Sequence, residues 1–109
     1  MNNLWKIAII IPNKEHIKNA ILYIYKLIRK SEERIIYVKD KTDDKAFATK
    51  NIYYDIVILN NNKKKKQLEF NEIHMYNFLN AESNINDIIE KGIIKYNSHD
   101  LQNIYYINN

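Results

Sequence analysis

Histidine, paired aspartate, a lysine run and a wealth of tyrosine are the residue types here that could carry chemistry. The histidines are His16, His74 and His99. No two stand at H-x-x-x-H spacing and none sits beside a carboxylate cluster of ligand type, so no metal site is expected. His99 and Asp100 are neighbours, and neighbours on a helix or strand point in different directions. Ser31, Ser83 and Ser98 read as helix-edge residues, and none lies on a strained G-x-S-x-G turn. Asp43-Asp44 would need a third carboxylate to hold Mg²⁺ and reads as a solvated turn. No catalytic residue is assigned, and the pattern leans away from an enzyme.

Anion chemistry has two candidate sources. A phosphate-cradling loop needs glycines so that backbone amides can approach the anion. The turn Ile11-Pro12-Asn13-Lys14-Glu15 has none, so no nucleotide cofactor is expected. The run Lys63, Lys64, Lys65, Lys66 could contact phosphates, and Tyr23, Tyr25, Tyr53, Tyr54, Tyr76, Tyr105 and Tyr106 could offer stacking platforms. The net charge of +4 and pI near 9.2 point the same way. Yet Asn, Ile and Lys supply 17, 21 and 15 of the 109 residues, the signature of A/T-rich codons, and only two Arg accompany the Lys. Arg is the residue of bidentate base and phosphate recognition. A nucleic-acid partner is therefore the alternative, not the favoured reading.

These residues need elements to position them. Leu4–Ile11 is a short apolar run ended by Pro12, the pattern of a strand covered on both faces. Asn13 can cap a following helix, in which Ile17, Ile21, Ile24 and Ile28 share one face and which ends near Ser31. Arg34–Lys39 reads as a second strand and Asp40–Lys50 as a loop carrying one or two helical turns. Tyr53–Leu59 is a third strand, with a polar loop at its C-terminal end. Lys63–Asn80 fits a helical stripe through Leu68, Phe70, Ile73, Tyr76 and Leu79. It also fits a β-hairpin turning at Asn71-Glu72, and the helix is favoured because a parallel strand needs a crossover. Ser83 or Asn84 caps a short helix with Ile85, Ile88 and Ile89 inside and Gly92 as its left-handed end. Ile93–Tyr96 is a fourth strand, and Ile104–Ile107 is a fifth strand or a terminal helix.

The alternation predicts a single three-layer α/β domain over residues 1–109. Its sheet would be open and mainly parallel, Rossmann-like or flavodoxin-like, with four to five strands. There is no cysteine, so disulfides are excluded, and no apolar run approaches the ~20 residues of a membrane span. The N-terminus Met-Asn-Asn-Leu-Trp-Lys lacks a leader pattern and reads as a mature cytoplasmic start.

Lys6–Ile11 with Pro12-Asn13-Lys14-Glu15, Ala46, and Tyr54-Asp55-Ile56-Val57-Ile58-Leu59-Asn60 resemble the first half of a response-regulator receiver domain. The resemblance covers about half of the chain. Pro12-Asn13 stand where that family has the acidic pair for Mg²⁺, and Asn60 where it has the phosphorylated Asp. It therefore implies a pseudo-receiver. A fainter likeness, through Asp55-Ile56-Val57-Ile58-Leu59-Asn60 and Ile94-Lys95-Tyr96-Asn97-Ser98, is to the leading segment of Mur-ligase-related proteins, without the residues that would bind ATP.

The expected function is a non-catalytic interaction or regulatory module, partnered by another protein or a second copy. Its polar rim would lie at the C-terminal strand ends, on Asn13, Lys14, Asn60, Asn61, Asn97 and Ser98. The alternatives are an anion or nucleic-acid binder using Lys63–Lys66, and a small enzyme or orphan nucleotide-sugar-type domain.

Overall fold

The computed structural model describes residues 4–59, 69–76, 81–90, 92, 94–96 and 103–108. The chain runs β1 (Trp5–Ile11), a 3-10 turn (Lys14–His16), α1 (Ile17–Lys30), β2 (Tyr37–Lys41), β3 (Asp44–Ala48) and β4 (Ile52–Ile58). It continues through β5 (Glu69–Phe70), β6 (Glu72–Tyr76), α2 (Ala81–Glu90), β7 (Lys95–Tyr96) and β8 (Ile104–Ile107). Six strands form one sheet in the order β2-β3-β4-β1-β6-β8, and β5 pairs with β7 apart from it.

β1 lies inside the sheet because it can be covered on both sides. Ile7, Ile9 and Ile11 face α1, where Ala20, Ile24 and Ile28 meet them together with Phe47, Tyr54, Ile56 and Ile58. Ala8 and Ile10 face the other way, against Val57, Phe70, Ile73 and Met75 and the inner residues Ile85 and Ile88 of α2. Each fully buried Ile contributes about 1.5–3 kcal/mol over an exposed one. The near-continuous Ile run of β1 therefore specifies a two-faced environment.

β1 is parallel to both β4 and β6, and β6 is parallel to β8. The α1 crossover lands at the far edge instead of beside β1. From there β2, β3 and β4 return as an antiparallel meander. The sheet is thus mixed and six-stranded, which corrects the expected four- to five-stranded, Rossmann-like arrangement.

Three further expectations change. Residues 44–48 form β3, not a helical loop. Asp43, at φ 57°, makes the hairpin bend that a glycine would ordinarily mark. Residues 69–76 are neither helix nor hairpin, since Phe70 and Tyr76 lie in strands of different sheets. Their stripe was ambiguous because four successive residues, Ile73–Tyr76, are buried and a strand covered on both faces loses its alternation. Finally, Lys95–Tyr96 pairs with β5 in the small sheet, so it is not a neighbour of β1.

The Asn13 cap, α1 and its Ser31 end, β4 and the left-handed Gly92 at φ 69° follow the sequence reading. Residues 104–107 take the strand alternative. Among the described residues no helix is long and apolar enough to cross a membrane.

Candidate functional site

Of the expected rim, Asn13 and Lys14 are described, at the C-terminal end of β1. Leu59 N–H donates to the Ile11 carbonyl at 2.9 Å, which brings the end of β4 alongside. Asn13 acts locally: its side-chain oxygen accepts from Glu15 N–H at 2.9 Å and its carbonyl from His16 N–H at 3.2 Å. Lys14 is exposed in the 3-10 turn. Asn60, Asn61, Lys63, Lys64, Lys65, Lys66, Asn97 and Ser98 lie outside the described residues. Among the described residues no group of three His, Cys, Asp or Glu could hold a metal ion.

The most connected polar group lies instead at the α1 face of β6. Glu72 and His74 are two apart, so on a strand they share a face. His74 Nε2 donates to Glu72 Oε2 at 2.6 Å, and Trp5 Nε1 donates to Glu72 Oε1 at 2.9 Å. Tyr23 of α1 reaches His74 Nδ1 from the helix side. Burial pushes the Tyr23 hydroxyl up to about 12, with the Glu72 charge adding to it. The Glu72 carboxylate can only accept, so Nε2 carries the proton between them, and in the neutral ring Nδ1 accepts from the Tyr23 hydroxyl. Burial alone would raise the Glu72 carboxyl. The hydrogen bonds from His74 and Trp5 outweigh it and hold the group below the ordinary value.

This chain of donors and acceptors separates two depressions. One, of about 380 Å³, is lined by Trp5, Glu72 and His74 together with Leu27, Lys30 and Tyr54. The other, of about 300 Å³, lies along α1 by Tyr23, Lys26, Arg29 and Tyr76. A carboxylate–imidazole–hydroxyl series resembles a nucleophilic triad in order, but burial pushes its terminal phenol up to about 12, which makes it a poor nucleophile near neutrality. Here the series pins α1 to β6. Its rings pack as well: Tyr23 lies 5.3 Å from Tyr76, and His74 lies 5.0 Å from Tyr105.

A second unusual surface is β2. It ends the sheet on one side, and its approach is apolar. Ile35 is 38% exposed, Ile36 66%, Tyr37 48% and Val38 51%. The extended path begins before the strand. Ile36 N–H donates to the Ala48 carbonyl at 2.8 Å. Glu33 accepts from Thr49 Oγ1 and from Asn51 Nδ2. Residues 33–41 therefore run beside β3 and its following turn for about 30 Å.

The sequence reading missed both features. Glu72-x-His74 carries no shared face in a helix, which was the reading favoured there. Arg34–Lys39 reads as a strand, of which only Tyr37–Lys39 lies in β2 (Tyr37–Lys41), and nothing in its composition announces an edge. Comparison with protein-family models, with curated proteins and with solved structures finds no match for this chain.

Proposed function

We propose that this chain is a non-catalytic interaction module that takes up an extended segment of a partner protein along β2. The observation that carries the reading is the row Ile35–Val38, four consecutive large apolar residues, all exposed, that lead into and open β2 at the edge of the six-stranded sheet. An edge strand presents every second N–H and C=O outward, and natural sheets ordinarily blunt such edges with charge, proline or a bulge. Within β2 the charges Lys39, Asp40 and Lys41 occupy its second half, so the open apolar stretch is Tyr37-Val38 and the extended residues just before the strand. Strand addition uses the open backbone groups for affinity and the alternating side chains for selectivity. The opposite edge, β8, is only four residues long.

The test is selection of displayed random peptides against the full chain, with Val38→Lys as the counter-selection. The expected outcome is enrichment of short extended peptides with alternating apolar residues, whose binding is lost in the variant. Absence of enrichment, or binders that tolerate Val38→Lys, would refute the proposal.

A further inference from the structure

We infer that the outer face of α1 docks on an anionic lipid surface. Helical spacing lays the face out. Ala20, Ile24 and Ile28 turn inward to the sheet. Lys18, Leu22, Tyr25 and Arg29 follow one another at i, i+4, i+7 and i+11 on the side turned away from it, and each is exposed. Lys26 and Lys30, also exposed, flank the row.

The face is basic without interruption. α1 holds Lys18, Lys26, Arg29 and Lys30 and no acidic residue, and the nearest along the chain, Glu15 and Glu32, lie beyond its two ends. These four cations equal the net charge of +4 of the whole chain, so the remaining basic and acidic residues balance. α2 is the reverse, with no basic residue and with Asp87 and Glu90 exposed. The two helices cover opposite faces of the sheet, so the molecule carries a charge axis that turns α1 toward an anionic surface. A/T-rich codons raise lysine everywhere, yet α2 has none. Helix stability accounts for Arg29 and Lys30 in the last turn of α1, at the negative end of the dipole, but not for Lys18 in the first.

Charge alone suits any polyanion, and the apolar residues select among them. Leu22 is 51% exposed and Tyr25 42%, in the midst of the cations. The Tyr25 ring meets Phe47 at 5.5 Å, and exposed Val38 stands opposite Phe47 on the ladder. The apolar strip thus continues from α1 to the sheet edge. On a bilayer such residues immerse among the headgroups while lysine and arginine stems reach the anionic groups. A nucleic-acid groove offers Leu22 no counterpart, and of the four cations only Arg29 has the bidentate fork. The depression along α1 is lined by Leu22, Tyr25, Lys26 and Arg29, which gives a headgroup a seat between two cations. The contact is with the surface only, since among the described residues no helix is long and apolar enough to cross.

Co-sedimentation of the full chain with vesicles at about 0.1 M salt tests this. Binding is expected to phosphatidylcholine vesicles containing about 30% phosphatidylserine, and not to phosphatidylcholine alone. Lys26→Gln with Arg29→Gln should lower the partition coefficient about tenfold or more, each charge near the surface being worth about fivefold. Leu22→Ser keeps every charge and should lower it about threefold or more. All three positions are exposed, so the variants retain the fold. The chain has no cysteine, so a single introduced thiol can carry a polarity-sensitive dye. On vesicles its emission should shift to the blue at Asn19→Cys, on the α1 face, and stay as in buffer at Asp87→Cys, on α2.

Absence of binding to the anionic vesicles, equal binding to both compositions, or binding indifferent to Leu22→Ser overturns the inference. So does a duplex oligonucleotide bound in place of the vesicles, or a blue shift at Asp87→Cys instead of Asn19→Cys. The substituted residues lie outside β2, so uptake of a partner segment at that edge stands or falls separately.

Discussion

Glu72 accepts from two donors that come from different strands, Trp5 of β1 and His74 of β6. A carboxyl held below its ordinary value of 4.5 by such bonds stabilises the fold above that pH. The contribution fades as the pH falls below 4.5 and through the lower folded value. Glu33, lowered by its bonds from Thr49 and Asn51, acts in the same direction. The acid limb of a urea-midpoint profile should therefore be shallower in Glu72→Gln than in the parent, with a loss of about 1–3 kcal/mol at neutral pH. Tyr23 has the opposite pH window. Its hydroxyl is raised from 10 to about 12, so its contribution is complete below pH 10 and is lost as the pH climbs through 12. Tyr23→Phe should cost about 1 kcal/mol near neutrality and blunt the alkaline decline, measured by the same midpoints between pH 8 and 12.

At the scale of elements, α1 ends without a glycine. Glu32 adopts φ 60° just past the Ser31 cap, and its N–H donates to the Arg29 carbonyl at 3.1 Å. A side chain in that conformation is strained, and glycine relieves the strain at some entropic cost. Glu32→Gly should therefore raise stability by about 0.5–1 kcal/mol, seen as a higher thermal midpoint. Ile24→Ala, in the middle of the face buried against β1 and β4, should cost about 2–5 kcal/mol. α1, β1 and β4 were legible from sequence because each carries a pattern with one structural solution: a 3.6-residue Ile stripe, or a mostly apolar run, broken in β4 only by Asp55, closed by proline or asparagine. β3 and β6 were not. Ala46-Phe47-Ala48 has poor strand propensity and is held in place by burial between its neighbours, while the bend before it uses Asp43. In β6 the period-2 signal vanishes because Ile73, His74, Met75 and Tyr76 are all buried. The donor chain through Tyr23, His74 and Glu72 depended on that strand, so it was hidden with it.

For the molecule as a whole, the decisive feature is the central position of its first strand. Trp5–Ile11 aligns with Ile52–Ile58 on one side, and Ile7–Ile10 aligns with Glu72–Met75 on the other. Ile10→Ala should lower the urea midpoint markedly, since about 2–5 kcal/mol is lost from a total of about 5–15. Circular dichroism in urea would read this out. Pairings between residues 45 or more apart also make refolding slow for a chain of this length. The same connectivity bears on synthesis. The first strand leaves the ribosome with neither neighbour yet made, and it receives the second only after residue 75 has followed. Until then a nascent chain carries the five-residue stretch Ile7–Ile11, which chaperones that hold exposed apolar segments would recognise.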